Sequence, residues 1–71
     1  MPLYDREQKS LCQIESLPQV SLLKSLGLRQ GAVVSVLSKQ PLGGPIVIKI
    51  GNRHIAIAKD LADQIEVREM N

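Results

Sequence analysis

The stretch "GGPIVIKIGNRHIAI", Gly43 to Ile57, gathers five isoleucines around one Gly-Asn pair, in a chain with a single aromatic residue. Gly51 and Asn52 suit a two-residue hairpin turn, because glycine takes positive φ freely and asparagine tolerates it. With those two residues as the loop, Ile50 faces Arg53, Lys49 faces His54, Ile48 faces Ile55 and Ile46 faces Ile57. The turn chemistry and the hydrophobic alternation select the same register, and a slip of one residue would turn every isoleucine toward water. This hairpin is expected to form a wall of the core, with Ile48 and Ile55 as buried cross-strand neighbours.

The segments around it are short. "SLCQIES" alternates as a strand with Cys12 and Ile14 on one face. In "LPQVSLLKSLGL" the period changes: Val20, Leu23 and Leu26 lie at i, i+3 spacing, and Leu22 pairs with Leu26, which predicts a helix of two to three turns. Pro18 suits its opening turn and Gly27 its left-handed exit. "GAVVSVLSK" returns to a period of two, with Val34 and Val36 on one face. The tail "KDLADQIEVRE" predicts a short turn or one helical turn with Asp60 as cap, then a strand with Ile65 and Val67 inward. Residues 1–10 are polar and are expected to be loosely held before a domain spanning 11–71. The sum is a mainly β fold: a small SH3-like antiparallel β-barrel of about five strands with one short α-helix, preferred over an OB-fold for so few residues.

Seventy-one residues hold one core, and a chain this short needs every stabilising device it has. An internal disulfide is excluded because Cys12 is the one cysteine. Cys12 and His54 are the candidate metal or nucleophile–base pair, but a lone cysteine and a lone histidine are a poor donor set for a tetrahedral zinc. Asp60 and Asp63 are better read as a helix start than as a metal site. "GGP" lacks the lysine and following helix of a phosphate loop. No catalytic constellation, metal site or cofactor site is therefore assigned, and the protein is read as a non-enzyme.

The net charge of +2 is too mild to imply nucleic acid by itself. No Trp or Phe is available for base stacking or for an aromatic peptide groove. A signal peptide and a membrane span are both absent from the pattern, so a soluble cytoplasmic protein without membrane insertion is expected.

The run "LKSLGLRQGAVVSVLSKQPLGGPIVIKIGNRHIAIAKDLADQIEV" resembles the ferrous iron transport protein A (FeoA) family. The shared order is a helix ending in Leu-Gly-Leu, a valine-rich strand opened by Gly31, a Pro-Leu-Gly-Gly-Pro-Ile loop, and an Ile-Ala-Ile strand before an Ala-bearing turn. The resemblance covers Leu11 to Val67. It departs from the family in lacking a glycine before the first strand and an arginine-rich helix start, where Ser21 and Leu22 stand. It implies an SH3-like barrel that serves as a cytoplasmic accessory of FeoB, a membrane transporter of ferrous iron with a G-protein domain. The same module ends metal-dependent repressors of the diphtheria toxin repressor type. The superfamily is associated with transition metal binding, yet no family metal ligand matches a residue here.

A barrel without an aromatic groove binds through other apolar positions. Leu22, Leu26 and Leu28 at the helix end and Leu42 in the "KQPLGGP" loop are the candidates. Lys24, Arg29 and Lys39 flank them as steering charges toward an acidic partner. The expected partner is the cytoplasmic part of a FeoB-type transporter, with a second copy of the chain as another candidate. For Leu42 the competing expectation is a lid folded onto the core. The alternative function is a small nucleic-acid-binding barrel of ribosome-associated or RNA-chaperone type, which dispersed charge and missing aromatics disfavour.

Overall fold

The computed structural model of the chain describes residues 1–7, 9–40 and 42–70, so Gln8, Pro41 and Asn71 lie outside it. Five strands carry the fold: β1 (Leu11–Ser16), β2 (Val33–Lys39), β3 (Ile46–Ile50), β4 (Arg53–Ile57) and β5 (Glu66–Glu69). Two short helices, α1 (Ser21–Ser25) and α2 (Lys59–Ala62), and a 3-10 turn at Leu3–Asp5 complete it. The fold is mainly β, as expected, with a second helix of one turn. Asp60 does not cap that helix; Ala58 is its N-cap residue. Among the described residues, no helix is long and apolar enough to cross a membrane.

The hairpin register is the one its turn requires. Ile46 pairs with Ile57, Ile48 with Ile55, Lys49 with His54 and Ile50 with Arg53. Ile46, Ile48 and Ile57 are buried, whereas Ile55 is only partly so. The reason is its strand: β4 lies at an edge, so Ile55 has a strand neighbour on one side alone.

All neighbouring strands are antiparallel in the order β4-β3-β2-β1-β5. The sheet is bent but not closed, and β4 and β5 are its two edges. α2 carries the chain from one edge to the other and buries Ala62 on the way. Side chains at alternate positions fill the interior: Cys12 and Ile14, Val34 and Val36, Ile65 and Val67. Ladder irregularities between Ile14 and Ser16 and between Val36 and Ser38 let the strands curve around this core.

The first residues are not the loose tail expected. Leu3 is fully buried in the core. Its N–H donates to the Ile65 carbonyl at 2.7 Å, and the Val67 N–H donates to the Met1 carbonyl at 2.8 Å. Pro2 forms a bridge with Glu66. The N-terminal residues thus cover the outer edge of β5, which would otherwise offer free backbone groups to another chain. Tyr4 packs partly against the core and donates its hydroxyl to the Gly44 carbonyl at 2.8 Å, tying this segment to the β2–β3 loop.

Candidate contact surfaces

The end of α1 explains which of its leucines remain available. Gly27 takes φ of +87°. Its N–H donates to the Lys24 carbonyl at 3.0 Å, and the Leu28 N–H reaches back to the Leu23 carbonyl at 3.0 Å. This is a Schellman exit, in which the residue after the glycine packs against the last full turn of the helix. Leu23 and Leu28 are accordingly both buried. Leu28 therefore belongs to the core and is withdrawn from the predicted contact set. Leu26 is half-buried, and Leu22, at 55% exposure, faces solvent.

Beside this exit lies an open groove, lined on one side by the α1–β2 loop and on the other by the β3–β4 turn. Lys24, Arg29 and Arg53 line it together with Val33 and Ile50. Arg53 donates through its Nη2 to the Leu26 carbonyl. A Cβ at position 27 would stand 2.5 Å from that nitrogen, so glycine is needed here for the approach of Arg53 as well as for its own φ. A second groove shares Lys24, Leu28, Arg29 and Gln30 and includes Glu15.

Leu42 lies elsewhere and is fully exposed, which excludes the lid that the sequence left open. Its φ is +76° and that of Gly43 is +81°, the consecutive left-handed pair of a tight turn. A leucine in that region costs on the order of 1 kcal/mol, and burial does not offset the cost here.

The predicted contact region therefore divides. β2 begins after the α1–β2 loop and ends before the loop that carries Leu42, and its seven residues span roughly 20 Å. Leu22, Leu26, Lys24 and Arg29 sit toward one end of that strand, with Leu42 and Lys39 at the other. Lys39 is engaged: its Nζ donates to the Tyr4 carbonyl at 2.8 Å and lies 5.4 Å from the centre of the Tyr4 ring. The Lys59 ammonium approaches the same ring at 5.2 Å, so two cations meet Tyr4. Lys39 serves this tie rather than acting as a free steering charge.

Cys12 and His54 do not meet. Cys12 points into the core from β1, His54 is exposed on β4, and β2 and β3 lie between their strands. No group of three His, Cys, Asp or Glu able to hold a metal occurs among the described residues. Burial raises the pKa of the Cys12 thiol above its ordinary value, with the Arg6 charge opposing. A thiol reagent at neutral pH should accordingly label the native protein only at the rate at which the chain opens. Labelling as fast as a free thiol would contradict this burial. With its pKa raised by burial, the thiol's contribution to stability is present below the unfolded thiol pKa of about 8.5 and is lost as pH rises through the folded value.

One signal in the sequence was missed by counting charge as a total. From Ser16 to Lys59 the chain has six Lys or Arg and no Asp or Glu. All seven acids lie outside this span: Asp5, Glu7 and Glu15 before it, and Asp60, Asp63, Glu66 and Glu69 after it. Arg53, absent from the predicted set, becomes visible only when the hairpin tip is placed beside α1.

Comparison with known proteins adds to this geometry. The FeoA domain model matches residues 1–69. No curated protein matches the chain. Among solved structures, the chain is similar to an iron uptake regulatory protein, FeoA, at 33% identity and a TM-score of 0.88, covering 97% of this chain and 94% of that one. It is similar to iron(II) transport protein A of Clostridium thermocellum at 36% identity and a TM-score of 0.89, covering 97% of this chain and 45% of that one. The FeoA of Stenotrophomonas maltophilia, solved with zinc and described as a prokaryotic SH3 domain protein, shares the fold at 22% identity. Its TM-score is 0.81, over 96% of this chain and 89% of that one.

Proposed function

The chain belongs to the FeoA domain family, and from that premise we propose that it is a cytoplasmic accessory protein of ferrous iron transport. It acts by protein contact, and its partner is the cytoplasmic part of a FeoB-type transporter. The relatives support the setting, one being an iron uptake regulatory protein and another an iron(II) transport protein. In this reading iron is the transporter's cargo and needs no site on the accessory.

The observation that carries the reading is Leu42. A fully exposed leucine at positive φ is a poor choice for stability, because it gains no burial and accepts a left-handed backbone. A partner that receives its side chain supplies the missing burial, worth about 1.5–3 kcal/mol for a leucine. The loop is tied at its base, with the Tyr4 hydroxyl bonded to the Gly44 carbonyl and the Gln40 N–H to the Pro45 carbonyl.

Leu42→Asn is the informative variant, since asparagine tolerates positive φ. It should keep the melting temperature or raise it by up to about 4–8 °C, the shift that relief of roughly 1 kcal/mol of left-handed strain produces in a domain this small. It should also abolish the support of iron uptake in cells and the co-purification of the transporter. A variant that unfolds would make Leu42 a structural residue. One that stays stable and fully active would move the contact elsewhere.

A further inference from the structure

We propose that the groove between the α1–β2 loop and the β3–β4 turn binds an acidic, extended segment of a partner protein. The groove's charged lining is Lys24, Arg29 and Arg53, with no carboxylate among its lining residues. The ion pairs seen in the structure are elsewhere: the N-terminus with Glu66, Arg6 with Glu69, and Lys59 with Asp63. Among the described residues Lys24 and Arg29 make no ion pair. Glu15, which lines the adjoining groove, is paired with neither. Arg53 spends Nη2 on the Leu26 carbonyl, which fixes the guanidinium in place and leaves further N–H donors. Three cations thus converge on one cleft in a stretch of chain that contains no acid to neutralise them.

The rest of the cleft specifies the occupant. Val33, 40% exposed, and Ile50 give it an apolar side. An acidic segment with interspersed aliphatic residues matches both surfaces. RNA matches less well, because the groove has no ring on which a base could stack and the one tyrosine is engaged near the β2–β3 loop. A second copy has fewer carboxylates to offer, since Glu66, Glu69 and Asp63, three of the seven acids, already hold partners within their own chain, and self-association is an outcome of the test below. Charge complementarity therefore selects an acidic polypeptide, with the opposing potentials speeding encounter and setting orientation.

The inference rests on the reading that this protein works by protein contact, and it can be tested apart from iron transport. A fluorescein-labelled peptide of alternating Glu and Leu is titrated with the full chain, and anisotropy is recorded at low and raised salt. The peptide should bind, and added salt should weaken it, because exposed charges are screened. The Lys24→Glu, Arg29→Glu double variant should bind about tenfold more weakly or worse, the scale expected for two reversed contacts. Lys9→Glu, a charge on the N-terminal segment, should bind as the parent does, and the Lys24→Gln, Arg29→Gln pair should show an intermediate loss. Four results would overturn the proposal: no binding at low salt, equal binding by the double variant, tighter binding of a single-stranded RNA oligonucleotide or of phosphatidylglycerol vesicles, or self-association on sedimentation that removes peptide binding. Retained peptide binding in a Leu42→Asn protein that still supports uptake would remove the Leu42 reading and leave the groove standing. Lost peptide binding with an inactive Leu42→Asn protein would do the reverse.

Discussion

Ile48→Ala should destabilise the protein by about 2–5 kcal/mol, the loss typical of a fully buried isoleucine cut back to its Cβ. Ile48 is completely buried, and it sits in the middle of a row, paired with Val36 on β2 and with Ile55 on β4. Removing three carbons there opens a cavity that two ladders hold open, because the backbone on both sides is fixed by strand pairing. A domain of this size has a total stability of roughly 4–11 kcal/mol, so the variant loses a large share of it. Ile55→Ala provides the internal control. Ile55 occupies the same face but an edge strand, is half-buried, and should cost about half as much. Urea denaturation of the three proteins measures both differences. Equal losses at the two positions would mean that β4 is covered in solution, and a harmless Ile48→Ala would refute the register itself.

Removal of residues 1–6 should be at least as damaging, although the sequence there reads as a polar tail. Leu3 alone contributes a fully buried side chain, so Leu3→Ala carries an expected loss of about 2–5 kcal/mol. Truncation also deletes the Leu3 bond to Ile65 and the Met1 bond to Val67 of β5, and uncovers that strand's outer edge. The shortened protein should therefore unfold at lower denaturant and self-associate more readily, since an open edge accepts a strand from another molecule. Denaturation midpoints combined with light scattering separate the two effects. An unchanged midpoint after truncation would show that the segment is dispensable and that Leu3 is not part of the working core.

The two losses differ in how they could be foreseen. Ile48 was legible because the hairpin is local: Gly51-Asn52 sets the turn, and alternation places each isoleucine without reference to the rest of the chain. The inward positions of β1, β2 and β5 follow from the same period of two, and the Gly27 exit follows from helix geometry. Leu3 was not legible, since one leucine among charged neighbours has no period. Its burial depends on β5, more than sixty residues away in the chain. Leu28 was misread for a related reason. Its place after a helix suggests a surface, while the Schellman turn folds it inward onto Leu23.

The contact surfaces divide along the same line. The sequence alone determined that Leu22 and the Leu42 loop stand outside the core pattern. It also held the acid-free span from Ser16 to Lys59, which a net charge of +2 conceals. Tertiary structure alone decided that Leu28 joins the core, that Lys39 is bound to Tyr4, and that Arg53 joins Lys24 and Arg29. Strand register and helix caps arise between near neighbours and are written in local spacing. Grooves and edges arise where distant segments meet in a bent sheet, and the curvature and strand order that bring them together have no local code.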